Sequence, residues 1–147
     1  MTPINLIKSL KSEVESDLKN IQLSSENESK GIGVHLYLSN ENFTHEDLYP
    51  LILISLLRVE DFQLESTRLS MSIASVELTI GIFGEDSETY IDLLNICEHL
   101  RGKLLRDQLI ANKFRLQLPI QTEILADQPY PFQFAYIRTQ YSIGRQL

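Results

Sequence analysis

Val76, Leu78, Ile80 and Ile82 stand on alternate positions, separated by Glu77, Thr79 and Gly81. Successive side chains of a strand point to opposite faces, so this stretch predicts a strand with one dry face and one wet face. A sheet built around it has to bury the dry face under a second layer. The chain supplies helices for that layer twice. Ile4, Ile7, Leu10, Val14, Leu18 and Ile21 recur at spacings of three and four, which predicts an amphipathic helix fading near Gln22. Pro3 suits its first turn and Thr2 its N-cap. After Gly84, Asp86 or Ser87 caps a longer helix with an apolar face of Tyr90, Leu93, Leu94, Cys97, Leu100, Leu104 and Leu105. Gly102 weakens this helix by about 1 kcal/mol relative to alanine, which predicts close backbone packing there.

The remaining segments read as further strands and their connections. Val34, Leu36 and Leu38 alternate with His35 and Tyr37. Pro50 opens the run Leu51 to Leu57, whose continuous apolarity predicts a strand buried on both faces, with a short buried helix as the alternative by pattern. Phe114, Leu116, Leu118 and Ile120 alternate with Arg115, Gln117 and Pro119. Pro119 cannot donate to a ladder, so this strand lies at an edge or is interrupted there. In the last strand Phe132, Phe134 and Tyr136 alternate, and the apolar phase then slips to Ile137, Tyr141 and Ile143. Both of its faces need cover, from the helices or from another subunit. The stretches 24–30, 40–47 and 61–70 are polar and read as loops or turns. The predicted fold is α+β, one domain over residues 1–147. A mostly antiparallel sheet packs against two main helices, in the order α-β-β-β-α-β-β.

Composition excludes some functions. A net charge of −7 lacks the basic footprint of a nucleic-acid binder and repels phosphate backbones and anionic membranes. Cys97 is the single cysteine, so no intrachain disulfide forms, and its apolar surroundings predict a small buried hydrophobe. The start lacks the apolar core of a secretory signal, and Leu51 to Leu57 is too short to span a bilayer. The chain is expected in a reducing cytoplasm.

Motifs that carry chemistry are missing. There is no phosphate-binding loop, and Gly31-x-Gly33 lacks the third glycine of a dinucleotide fingerprint and precedes a strand. There is no nucleophile elbow, no zinc-protease pair of histidines and no cysteine pair. His45-Glu46-Asp47 diverge as neighbours on a loop, where solvation or helix capping accounts for them. His99 reads as a partly exposed helix residue, and Glu85-Asp86 as a helix entrance. No catalytic residue, metal ligand or cofactor is expected, and the chain reads as a non-enzyme.

Four pieces then carry a family resemblance, over the span from Val76 to Gln146. They are VELTIGIFGED, YIDLLNICEHLRGKLL, NKFRLQLPIQTEI with Arg115 and Pro119, and DQPYPFQFAYIRTQYSI; YPLILISLL near the middle is similar in style. Together they resemble the tail-terminator, or tail-completion, proteins of tailed phages, prophages and phage-tail-like particles. The resemblance covers about half of the chain and rests on packing and turn patterns. It implies a small α+β protein that closes into a hexameric ring, caps the tail tube, stops its elongation and offers a head–tail joining surface. Implied partners are other copies of the chain, the tail tube protein, head-connector or collar proteins and the sheath. The implied place is the bacterial host cytoplasm during assembly and then the virion or tail-like particle. Under this reading Tyr130, Phe132, Phe134 and Tyr136 pack between subunits. Glu26, Glu28, Glu41, Glu46 and Asp47 face the lumen or a partner. The alternatives are another neck or connector component, a cytoplasmic adaptor binding a protein at a sheet edge, or a small enzyme using His45 or His99.

Overall fold

A computed structural model describes residues 2–19, 21, 23, 31–36, 46–63 and 69–146. The described elements are helix α1 (Pro3–Leu18), strand β1 (Gly33–Leu36), a 3-10 turn (Glu46–Leu48), β2 (Leu51–Gln63), β3 (Leu69–Phe83), α2 (Ser87–Arg106), β4 (Leu109–Ile110), β5 (Phe114–Ile124) and β6 (Phe132–Gln146). The strands form one six-stranded sheet in the order β1-β2-β3-β6-β5-β4. The β1–β2 pair is parallel and every other pair is antiparallel. The fold is α+β in the predicted element order, with β4 as a two-residue addition.

Both helices begin as their sequences dictate. The Thr2 hydroxyl accepts from the Asn5 N–H at 3.2 Å, with Pro3 in the first turn. The Asp86 carboxylate accepts from the Thr89 N–H at 2.8 Å and from the Thr89 hydroxyl at 2.7 Å. These two bonds, the hydroxyl first, hold the Asp86 carboxyl below its ordinary range. Gly84 has φ +144°, and a Cβ there would stand 2.3 Å from Thr89 Oγ1. Its carbonyl also accepts from the buried Gln133 side chain at 2.8 Å. Gly84→Ala is therefore expected to destabilise the protein by about 2 kcal/mol, read as a lower urea midpoint at unchanged m.

One face of the sheet carries the main core. Ala74, Val76, Leu78, Ile80 and Ile82 of β3 and Ala135, Ile137, Tyr141 and Ile143 of β6 are buried there, with Ile52, Ile54, Phe114 and Leu116 from the flanking strands. The helices lie on this face. α1 contributes Leu6, Leu10, Val14 and Leu18, so Leu6 takes the place expected of Ile4, which is exposed. α2 contributes Leu93, Ile96, Cys97, Leu100 and Leu104, whereas the predicted face members Tyr90 and Leu94 are exposed. Gly102 does not mark close packing, because an added Cβ there meets nothing within 4 Å.

Three further sequence expectations are corrected. The polar stretch from Asp61 to Ser70 is not all turn: β2 runs on to Gln63 and β3 starts at Leu69. Only Leu51–Ile54 of β2 is buried on both faces, and Leu56, Leu57 and Phe62 are exposed. β6 does not slip in phase. Gln133, Ala135, Ile137, Thr139, Tyr141 and Ile143 all face the core, so Phe132, Phe134 and Tyr136 line the opposite side of one regular strand.

Two bulges break the regularity. Leu57 is an extra residue in β2 between the pairs Leu56↔Val76 and Arg58↔Ser75. In β5 the register jumps between Gln117↔Gln140 and Gln121↔Arg138, and Pro119 sits in the gap. The interruption expected from its missing N–H is therefore present.

Cys97 is buried in the core, and burial, with Glu98 adding, pushes its thiol up to about 12. A raised folded-state pKa stabilises below the unfolded value near 9 and is lost as pH rises towards 12. The wild type is expected to lose stability over that window, and Cys97→Ala to lose less, as read by urea midpoints at pH 8 and 10.5. The native thiol should also resist a colorimetric thiol reagent at pH 8 until denaturant is added.

Candidate interaction surface on the open face of the sheet

Opposite the helices, the sheet carries a second and smaller apolar cluster. Tyr49, Leu51 and Leu53 are buried in it, and Phe83, Phe132 and Phe134 pack partly buried against them. The register explains the grouping, since Phe83↔Phe132 and Gly81↔Phe134 are direct pairs and Leu51↔Gly81 is the next pair across. The Tyr49 ring lies 4.9 Å from Phe132 and 6.0 Å from Phe134, and Phe83 lies 5.4 Å from Phe132. Tilted and edge-on ring pairs of this kind each contribute about 1 kcal/mol beyond area burial.

Gly81 makes room for the cluster. A Cβ at that position would stand 2.6 Å from the Tyr49 ring and 2.9 Å from the Phe134 ring. Burial raises the Tyr49 phenol above its ordinary range. The turn before β6 is held by Gln128, whose amide oxygen accepts from the Phe134 N–H at 2.7 Å and whose NH2 donates to the Phe134 carbonyl at 3.0 Å. One side chain thus imitates a neighbouring strand and fixes where the aromatic row begins.

Further along the same face the character turns ionic. Arg138 stands directly across from Glu77 and donates to it at 2.9 Å and to Glu123 at 3.2 Å. Its guanidinium is half exposed, so the pairs orient side chains and add little stability. Beside it, between the two bulges, is a groove of about 320 Å³ lined by Leu57, Arg58, Gln121, Arg138 and Gln140. Tyr136 lies between the two regions, and burial followed by the Glu77 charge raises its phenol.

The expected interface residues come together only in part. Phe132 and Phe134 belong to the aromatic cluster, Tyr136 is half-buried on the same face, and Tyr130 stands at the rim, 58% exposed. Of the acidic residues, Glu46 and Asp47 are in the 3-10 turn just before Tyr49, with Asp47 exposed. Glu26, Glu28 and Glu41 lie outside the described residues, as does His45. His99 Nε2 lies 3.0 Å from Asp17 Oδ2, which ties α2 to α1 away from this face. Among the described residues no group of three His, Cys, Asp or Glu side chains is placed to hold a metal ion.

Sequence reading missed Tyr49, Leu51, Leu53 and Phe83 as members of this surface. The available signal was Gly81, a residue without a side chain inside an otherwise regular strand, which marks a close approach by another group. It also missed Lys103. That side chain is buried between the helices and donates to Glu13 at 2.8 Å and Asp107 at 2.7 Å.

No family model matches the chain, and no curated protein matches it. Among the described residues no helix is long and apolar enough to cross a membrane.

Proposed function

We propose that the chain is a structural, ring-forming protein that caps the end of a phage or phage-like tail tube, stops its elongation and offers the joining surface to the head connector or collar. One observation supports the reading above others: the buried apolar residues of both helices pack on one face of the sheet, while the other face presents an aromatic row that the exposed Tyr130 precedes in the chain. Aromatic side chains are enriched at interface cores, where a large apolar body buries at low entropic cost. Tyr49 covers part of the row within the subunit, so Tyr130 and the exposed edges of Phe132, Phe134 and Tyr136 are what remain for a neighbouring copy.

The action is geometric. A closed ring presents one face that matches the last ring of the tube and an opposite face that does not, so stacking halts. Glu26, Glu28, Glu41, Glu46 and Asp47 serve lumen or partner contacts, and the net charge of −7 keeps passing DNA from adhering.

Particles assembled without the protein test the reading. Electron microscopy is expected to show overlong tubes without heads; tubes of normal length joined to heads would overturn it. Tyr130→Ser probes the interface in the same system. Its effect on subunit stability should stay within about 0.5 kcal/mol, as for an exposed position, while the assembled fraction on size-exclusion chromatography falls.

A further inference from the structure

The groove between the two bulges crosses the open face of the sheet. Its floor is the β3–β6 pair at Ser75↔Gln140 and Val76↔Thr139. Leu57 and Arg58 of β2 wall it on one side, and Pro119 and Gln121 of β5 on the other. In register, the short Ser75 stands between Arg58 and Gln140, two long side chains, which leaves space above the floor. The volume of about 320 Å³ falls at the lower end of small-ligand sites, roughly 300–1,000 Å³.

The inserted residue in β2 decides which side chain stands beside that floor. Leu56 pairs with Val76, so in an unbroken ladder Leu57 would pair with Ser75 and Arg58 with Ala74, which faces the core. The extra residue sets Arg58 level with Ser75 instead and turns it to the open face. In β5 the ladder takes four steps, from Gln117 to Gln121, where β6 takes two, from Gln140 to Arg138. The excess is even, so Gln121 keeps the open face that Gln117 has. Bulges disrupt pairing locally and recur beside binding sites because they re-aim a side chain. Here the side chain re-aimed is a cation.

Every polar side chain lining the groove can donate. Arg58, Ser75, Gln121, Arg138 and Gln140 contribute to it, and among the described residues no carboxylate does. Most of this donor capacity is unused. Arg138 gives its Nε to Glu77 and its Nη1 to Glu123, which leaves Nη2. Arg58 has Nε 3.3 Å from Glu60 Oε1, which leaves both of its Nη groups. Among the described residues the side chains of Ser75, Gln121 and Gln140 make no hydrogen bond. Glu60, Glu77 and Glu123 stand outside the lining and orient the two guanidinium groups from there. In a chain of net charge −7, the groove is thus lined by charge of the opposite sign, and such a recess attracts anions.

We infer that this groove is a binding site for a carboxylate carried on a short apolar stem. An ionised carboxylate only accepts hydrogen bonds, which matches a lining of unused donors, and its two oxygens fit the planar fork of a guanidinium. Leu57 and Pro119 give the stem an apolar wall on either side. A cationic ligand would meet Arg58 and Arg138 with like charge. Two sources carry this chemistry, a free short-chain acid and the glutamate side chain of a partner protein. The inference goes beyond the ring-forming reading and does not rest on it.

The test is ligand-observed saturation-transfer NMR on the full chain with butyrate, which copies a glutamate side chain from its Cα outwards, against butyramide, which has the same shape without the charge. Butyrate is expected to bind with a dissociation constant on the order of a millimolar, because half-exposed cations are screened by solvent, and butyramide is expected not to bind. Arg58→Gln should weaken butyrate about tenfold. Ser75→Phe fills the floor, leaves every charge in place and should abolish binding; circular dichroism checks that it folds, and Ser75→Leu replaces it if it does not. A capped Ala-Glu-Ala peptide that binds as well as butyrate marks a partner's acidic side chain as the source, and one that fails to bind marks a free short acid. Butyrate that does not bind, that butyramide matches, or that the filled floor leaves unmoved overturns the site. None of these readouts depends on assembly, so the ring reading stands or falls on its own experiment.

Discussion

Leu78→Ala is expected to lower the unfolding free energy by about 3 kcal/mol, among the largest effects of any single truncation in the chain. Leu78 has no exposed surface, lies in a central strand, and pairs with Ile54 on one side and Ile137 on the other, both of them buried. Strands on both sides and helices above leave little room for collapse into the cavity, which places the cost well into the measured range for such changes. The fall should appear as a reduced urea midpoint with an unchanged slope. Leu57→Ala, with more than half of its surface already in water, is the control and should stay within about 0.5 kcal/mol. Equal effects at the two positions would mean that the sheet is not buried as described.

Lys103→Glu is the second large effect. Burial alone would lower the Lys103 pKa, but hydrogen bonds and charge from Asp107 and Glu13 outweigh it and the pKa is raised. Reversing the charge sets a third carboxylate beside Glu13 and Asp107, in a recess that Asp17 also lines. Glu13 and Asp107 are 30% and 43% exposed, so solvent screens part of the loss, but reversal adds repulsion to it and leaves a carboxylate on a buried stem. The pH dependence has a diagnostic sign. In the wild type Lys103 holds the Asp107 carboxyl below its ordinary range, so the stability from that pair is complete above pH 4 and falls as pH drops through the folded value. In the variant the crowded carboxylates bind protons more readily folded than unfolded, so acidification from pH 7 towards 4.5 should raise stability. Lys103→Met keeps most of the stem packing and should lie between the two.

Much of the architecture follows from local pattern. The alternation from Val76 to Ile82, the caps at Thr2 and Asp86, and the break at Pro119 are properties of a few adjacent residues, and each appears where the sequence puts it. What could not be read belongs to the sheet as a whole. Asp61 to Gln63 and Leu69 to Ser70 look like turn because neither stretch carries an alternating apolar signal, and Asp61 to Gln63 is exposed. The choice of Leu6 over Ile4 in α1 depends on where the helix axis lies over the sheet, which spacing alone does not fix. Tyr49 and Phe132 are far apart in the chain, and only the register of β2, β3 and β6 brings their rings together. The apparent change of phase in β6 has the same origin. Both faces of that strand are apolar, each in a different half, and one dimension of sequence overlays them.

The positions of the two bulges carry a mechanical consequence. The extra residue in β2 falls beside Val76 and the extra residues in β5 fall beside Thr139, and Val76 and Thr139 are themselves paired, with the Thr139 hydroxyl bound to the Val76 carbonyl at 2.9 Å. Irregularity on both flanks at one level leaves the sheet regular there only along β3 and β6, whose ladder runs unbroken from Phe83↔Phe132 to Leu69↔Gln146. A load across the strands should therefore part β2 or β5 from its neighbour at that level before it opens the β3–β6 ladder.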